Sequence, residues 1–166
     1  MKNGIIVDGA EQQGKSTFTK KLSEITNLPI IHMDKTYGFI DGKFNYTESY
    51  FIDIDKENSK GIIFDRFYMS EICYGKLFNR NNLTKEMIKE NEKRLNDLNY
   101  MYIILEMEEK EWIEREEYIN KEQNNKIKQY FKEAFENSNI NNKFFIDPRD
   151  TNSIDFIFNK WKNLSK

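Results

Sequence analysis

Cysteine is almost absent from this chain: Cys73 is the only one in 166 residues. That excludes a disulfide framework and a cysteine-ligated zinc site, and it fits a reducing cytoplasm as the expected location. Proline (2) and glycine (7) are scarce too, and no low-complexity linker divides the sequence. A single domain over residues 1–166 is expected, large enough to bury a core. No apolar run approaches the roughly 20 residues of a membrane span. Met1-Lys2-Asn3-Gly4 leads straight into an apolar segment, so neither a membrane anchor nor a signal peptide is expected. Positive charge is not in excess. The formal net charge of −2 gives no basic footprint, and nucleic acid is not an expected partner. Arginine is the last scarcity: only Arg66, Arg80, Arg94, Arg115 and Arg149 occur, among many lysines. A planar guanidinium fork does what a lysine cannot, so each is a candidate for a specific role.

What the chain does have is alternation. Short, continuous apolar runs at Gly4–Asp8, Pro29–Met33, Gly61–Asp65, Met101–Glu106 and Lys143–Ile146 read as buried parallel strands. Helical patterns lie between and after them, at Ser16–Ile25, about Thr47–Asn58, Tyr68–Phe78, Thr84–Leu98, a charged stretch from about Glu109, Lys126–Asn137 and Ser153–Leu164. Alternating β and α elements predict a parallel sheet with helices on both faces and right-handed crossovers. In such sheets ligands sit at the carboxyl ends of the strands.

The most specific motif stands at the end of the first strand. Gly9-Ala10-Glu11-Gln12-Gln13-Gly14-Lys15-Ser16-Thr17 is a complete Walker A pattern, with an apolar strand before it and a helical pattern after it. Backbone N–H groups and the helix N-terminus bind phosphate oxygens in such a loop. Lys15 is expected to reach the β- and γ-phosphates, and Ser16 to ligate Mg²⁺. The filling Glu11-Gln12-Gln13 is bulky. Glu11 brings negative charge near phosphate, and so is expected to face the acceptor or an arginine such as Arg66.

A second motif closes the third strand, where Gly61-Ile62-Ile63-Phe64 runs into Asp65-Arg66. A carboxylate there can hold Mg²⁺ directly or through water. Arg66 can fork onto a phosphate or the transferring group. His32 and Asp34 alternate on the second strand and share a face. His32 reads as a partly buried, hydrogen-bonded histidine and Asp34 as a site residue. Phe67, Glu71 and Tyr74 fall near one helical face. Of the many aromatics crowding this half, Phe67 and Tyr74 are the candidates for stacking on a base.

The segment from Asp65-Arg66-Phe67-Tyr68 through Ser70-Glu71 and Tyr74-Gly75 to Arg80 resembles that of thymidylate kinases. It is closer to the small thymidylate-kinase-like proteins of phages. Val7-Asp8-Gly9 and Ile31-His32-Met33-Asp34 resemble the same proteins. The resemblance implies a three-layer P-loop kinase fold with a five-stranded parallel sheet in the order 2-3-1-4-5. It implies ATP as phosphoryl donor with Mg²⁺ held by Ser16 and Asp65, and transfer to a (deoxy)nucleoside monophosphate such as dTMP. A deoxynucleoside acceptor, with Asp34 taking the proton of the 5′-hydroxyl, is the alternative.

By the same resemblance Arg66 bridges the two phosphates, and Arg80 belongs to the acceptor side with Asp34, Phe67 and Tyr74. Arg115 lies in a lid at about 108–125 and closes over the donor, and Arg149 stacks on adenine. Similar enzymes pair as homodimers through helical faces. A regulatory GTPase does not fit, because Asn159-Lys160-Trp161-Lys162 lacks the guanine-reading acid and Asp65-Arg66-Phe67-Tyr68 lacks the switch glycine. A polynucleotide kinase and a non-catalytic P-loop module are the less favoured readings.

Overall fold

The computed structural model describes residues 3–33, 39–40, 43–44, 46–56, 61–80, 82–114 and 119–164. In chain order the elements are β1 (Ile5–Asp8), α1 (Lys15–Thr26), β2 (Ile30–His32), β3 (Phe39–Ile40), β4 (Lys43–Phe44), α2 (Tyr46–Lys56), β5 (Ile63–Asp65), α3 (Tyr68–Leu77), α4 (Lys85–Asp97), β6 (Met101–Leu105), α5 (Lys121–Asn137), β7 (Lys143–Ile146) and α6 (Ser153–Leu164). The main sheet runs β2-β5-β1-β6-β7 with every pair parallel. This is the expected order 2-3-1-4-5.

The central strand explains the layering. Ile5, Ile6, Val7 and Asp8 are all fully buried, because β1 is covered on both faces. Ile5 and Val7 point to one face, where Phe18 and Leu22 of α1 and Ile157 of α6 cover them. Ile6 points to the other, toward Phe51 and Ile54 of α2, Tyr68 and Cys73 of α3, Leu95 of α4 and Phe131 of α5. That second face is aromatic. Phe64 and Phe67 meet edge-on at 5.0 Å between ring centroids, and Tyr68 and Tyr102 at 5.4 Å, the geometry that ring quadrupoles favour. Parallel register brings the ends of β1, β2, β5 and β6 to one edge of the sheet, where the Walker loop lies.

Three local features depart from the sequence reading. Helix α5 begins at Lys121, five residues before the expected Lys126. The Asn120 side chain accepts from Gln123 N at 2.9 Å, and the Gln123 side chain accepts from Asn120 N at 3.0 Å, a capping box outside the apolar pattern. The charged stretch from Glu109 is not helical through residue 114. Glu109 has a left-handed backbone (φ 52), which breaks a right-handed helix, and the following residues bond to the Walker loop instead. The antiparallel pairs Phe39↔Phe44 and Ile40↔Lys43 were not expected; Asp41-Gly42 between them is the sequence signal for such a hairpin. Among the described residues no helix is long and apolar enough to cross a membrane.

Candidate active site

The Walker loop is shaped by its glycines. Gly9 has φ 141, and a Cβ there would lie 2.5 Å from the carbonyl oxygen of Leu105. Gly14, at φ 79, caps the N-terminus of α1 in the left-handed region. Lys15 is buried beneath the loop, and its Nζ donates to Gly9 O at 3.0 Å and to Ala10 O. Burial, and next the neighbouring Arg66 charge, pull its pKa from the usual 10.5 to about 8. Phosphate oxygens supply the opposite effect, favouring the charged form.

Across a cleft of about 510 Å³ from Ser16 and Thr17 stands the end of β5. Asp65 Oδ2 lies 2.8 Å from His32 Nδ1, whereas Asp65 Oδ1 is buried with no hydrogen-bond partner among the described residues. An orphaned carboxylate oxygen in the same cleft as Ser16, a serine in the first turn of α1, fits Mg²⁺. This ion takes one or two protein oxygens and completes its shell with phosphates and water. No group of three or more His, Cys, Asp or Glu suited to a metal occurs among the described residues. His32 makes the expected hydrogen bond but is not partly buried, its side chain being 62% exposed.

Arg66 carries the second unusual backbone of the site, left-handed at φ 79 without being glycine, a conformation that costs on the order of 1–2 kcal/mol. Its N–H is fixed to Val7 O at 3.0 Å. Its Nη2 bonds Glu11 Oε1 at 2.5 Å, and the Tyr74 hydroxyl donates to that same oxygen at 2.7 Å. Arg66 Nη1 is 3.4 Å from the Tyr74 oxygen. Burial opposes the Glu11 carboxylate, but Arg66, Lys15 and the Tyr74 bond outweigh it and hold its pKa below the usual carboxylate value. Burial opposes the Arg66 charge as well, and is overcome by Tyr74, Glu11 and Asp8. Glu11 therefore faces an arginine, one of the two outcomes expected for it.

The polar filling of the loop also has a structural reason. Glu11 N donates to Asn124 Oδ1 at 2.9 Å, and Gln13 Oε1 accepts from Met107 N at 2.6 Å. Gln12 pairs with the backbone of Ile113, donating to its O at 2.9 Å and accepting from its N at 3.1 Å. Lys110 Nζ donates to Gln12 O at 2.7 Å. The loop is thus tied to α5, to the end of β6 and to the segment before Arg115. Beneath it, Asp8 accepts from Gly9 N, Phe67 N, Ser70 N, Ser70 Oγ and Tyr102 Oη. One buried carboxylate thereby joins the loop to the N-terminus of α3, where the helix dipole favours it.

The expected residues are not all in one place. Glu11, Gln12, Gln13, Gly14, Lys15, Ser16, Thr17, Asp65 and Arg66 line one cleft, with His32, Met107 and Lys110. Gly9 and Ala10 supply the carbonyls under Lys15, and Tyr74 reaches the cleft's edge through Glu11. Phe67 departs from the expectation: it is fully buried against Phe64, Tyr68 and Tyr102, so its ring is core and cannot stack on a ligand. Arg80 lines a separate cavity beside Glu71. Arg149 is exposed, bound to Asp147 at 2.5 Å and to Glu108 O at 3.1 Å, in a third cavity with Glu106 and Phe145. Asp34 and Arg115 lie outside the described residues. The sequence reading gave no site role to Asp8, Lys110 or Asn124. Only the acid immediately before the Walker glycine was a visible signal, and Asn124 bonds across 113 positions.

No family model matches the chain, and no curated protein is similar to it by sequence. Solved structures are similar. The Bacillus subtilis YorR protein, in complex with phosphorylated GDP, superposes with a TM-score of 0.71 at 22% identity, over 97% of this chain and 94% of that one. Deoxyadenosine kinase from M. mycoides, with dCMP and dCDP bound, gives 0.59 at 18% identity over 97% and 99%. Thymidylate kinase from Ehrlichia chaffeensis gives 0.53 at 16% identity over 99% of each. At these identities the likeness shows the fold, which is that of the P-loop nucleoside and nucleotide kinases.

Proposed function

We propose that the chain transfers the γ-phosphoryl group of ATP to a (deoxy)nucleoside monophosphate. The observation that carries this reading is the cleft itself. Lys15 and Ser16 stand on one wall and Asp65 and Arg66 on the other, and Arg66 is a guanidinium restrained from two sides by Glu11 and Tyr74. A restrained arginine opposite a Walker loop suits a second phosphate better than an uncharged hydroxyl. M. mycoides deoxyadenosine kinase, of similar fold, holds the products dCMP and dCDP, which supports a deoxynucleotide as a ligand of suitable size.

In this reading the loop N–H groups and Lys15 hold the donor phosphates, and Lys15 leaves its carbonyl partners to do so. Ser16 and Asp65 would hold Mg²⁺, which would supply charge neutralisation for the transferring phosphoryl group. Arg66 exchanges Glu11 for phosphate oxygens, orienting the acceptor in line with the donor and stabilising charge as the phosphoryl group moves. Closing the segment clasped by Gln12 brings Arg115 over the donor and excludes water. Arg149 meets the adenine. A monophosphate acceptor ionises unaided; for a nucleoside, Asp34 takes the 5′-hydroxyl proton.

The test is ADP release with Mg²⁺ and ATP against the four deoxynucleoside monophosphates and the four deoxynucleosides. At least one monophosphate is expected to raise turnover well above the ATP-only rate. If none of the eight does, phosphotransfer to a nucleotide is wrong.

A further inference from the structure

His32 is a histidine that packing does not require. It ends β2 as Asp65 ends β5, and the two are register partners on neighbouring parallel strands. Met33 N donates to Asp65 O at 3.2 Å, so the backbone holds the pair side by side. His32 Nδ1 lies 2.8 Å from Asp65 Oδ2, yet the His32 side chain is 62% exposed and that of Asp65 only 6%. A ring left largely in water gains little from burial. What it supplies is the bond.

That bond fixes how the carboxylate stands. The last torsion of an aspartate is broad and roughly two-fold, so an unheld carboxylate turns and exchanges its oxygens. A carboxylate that serves a cation only accepts, and Nδ1 therefore carries the hydrogen. With Oδ2 engaged, Oδ1 is left over, buried and without a hydrogen-bond partner among the described residues. A buried polar oxygen is costly unless something serves it. Ser16, Lys15, His32 and Asp65 line the same cleft, so the leftover oxygen belongs to the wall that faces the Walker loop.

We propose that His32 is a positioning residue for Mg²⁺: its Nδ1–H holds Asp65 by Oδ2 and keeps Oδ1 presented to the cation. The proposal rests on the phosphotransfer reading above and adds the residue through which its metal ligand is held. His32 acts on the cation only through Asp65. Hydrogen-bond partners of metal-ligating carboxylates are typically worth about 10–100-fold in metal affinity. The position of the nitrogen is what counts. Nδ1 stands two bonds beyond Cβ, as the amide nitrogen of asparagine does, whereas that of glutamine stands one bond further out.

The test measures Mn²⁺ binding by electron paramagnetic resonance to the full chain saturated with a non-hydrolysable ATP analogue, and so needs no acceptor. Calorimetric binding of the analogue in EDTA runs in parallel. His32→Leu is expected to weaken Mn²⁺ binding by at least about tenfold, with the metal-free affinity for the analogue unchanged. His32→Asn is expected to recover most of that loss, because it returns an N–H to the same place. If His32→Leu does not fold, His32→Gln takes its part, polar but misplaced, with the same loss expected. Unaltered Mn²⁺ binding in the variant overturns the proposal, as does a parent that binds no Mn²⁺. So does an asparagine variant as weak as the leucine one. An equal loss in EDTA puts His32 on the phosphates themselves and overturns it too. Mn²⁺ binding that depends on His32 in a protein that phosphorylates no acceptor leaves the positioning role standing and removes phosphotransfer.

Discussion

The two halves of the cleft are built on different principles. The proposed donor half is a single segment, Gly9 to Thr17, whose groups offered to phosphate are backbone N–H donors and one lysine. The proposed acceptor half is assembled from Glu11, Arg66, Tyr74 and Arg80, which come from the Walker loop, the end of β5, α3 and the turn after it. In the first, glycine dihedrals and a helix dipole do the work, so side chains such as Gln12 and Gln13 are free to brace the loop. In the second, specificity depends on how α3 packs. Asp8 welds the halves together by bonding Gly9 on one side and Phe67 and Ser70 on the other. Damage to the donor half is therefore expected to strike chemistry, and damage to the acceptor half to strike recognition and stability.

The largest expected effect is on the donor side. Lys15→Ala is expected to slow single-turnover phosphoryl transfer by on the order of 10²–10³-fold, as for loss of one preorganised donor. Folding is expected to suffer little, by about 1 kcal/mol at most, because the buried charge itself opposes the folded state while its bonds to two carbonyls favour it. Rapid-quench kinetics and thermal melts separate the two. An unchanged transfer rate, or a variant that unfolds, breaks the division between chemistry and stability.

On the acceptor side the corresponding change is Gly75→Ala. Alanine is the better helix former by about 1 kcal/mol, but the new methyl would meet the Arg80 carbonyl oxygen at 2.6 Å, a backbone atom that cannot swing aside. The overlap is expected to win, with a net loss of about 1–3 kcal/mol. As the Arg80 turn shifts, acceptor KM rises while ATP KM holds. A variant that melts normally and keeps its acceptor KM would show that the Arg80–Glu71 arrangement does not depend on this close approach.

The same division decides what could be read from the sequence. The shape and place of the Walker loop were legible because they are local: the spacing of its glycines fixes where the turn and the helix N-terminus fall. The sheet order followed from the family resemblance, and the apolar runs located all five of its strands to within two residues. Phe67 was misread because helical spacing gives a face but not a direction; an aromatic core under α3 drew the ring inward. The pairing of Glu11 with Arg66 was one of two expectations, because a carboxylate in a phosphate loop needs a cation; its geometry, across 55 positions and through a left-handed arginine, is announced by no pattern. The roles of Asp8 and Asn124 arise from packing between elements distant in sequence, and periodicity carries no record of it.

The smallest expected effect tests the electrostatics that join the halves. Lys15 has a folded-state pKa of about 8, against the usual 10.5 in an unfolded chain. As pH rises between those values, the folded protein has released the proton and the unfolded chain still holds it. Stability from this group therefore rises with pH. Nucleotide binding has the opposite sign. Phosphate needs the cation, so affinity falls once pH passes about 8, by about tenfold at one unit above. Cys73, whose thiol pKa burial pushes up, contributes a stability change of the reverse sign near pH 9. Subtracting the Lys15→Ala variant from the parent removes that contribution and those of the buried tyrosines. Between about pH 7 and about pH 9, the difference is expected to show a rising melting temperature for the nucleotide-free protein and a weakening ATP affinity by calorimetry. If both quantities moved in the same direction, or ATP affinity stayed flat, Lys15 would hold its proton throughout. Burial and the Arg66 charge would then not outweigh the Glu11, Asp65 and Asp8 carboxylates around Lys15.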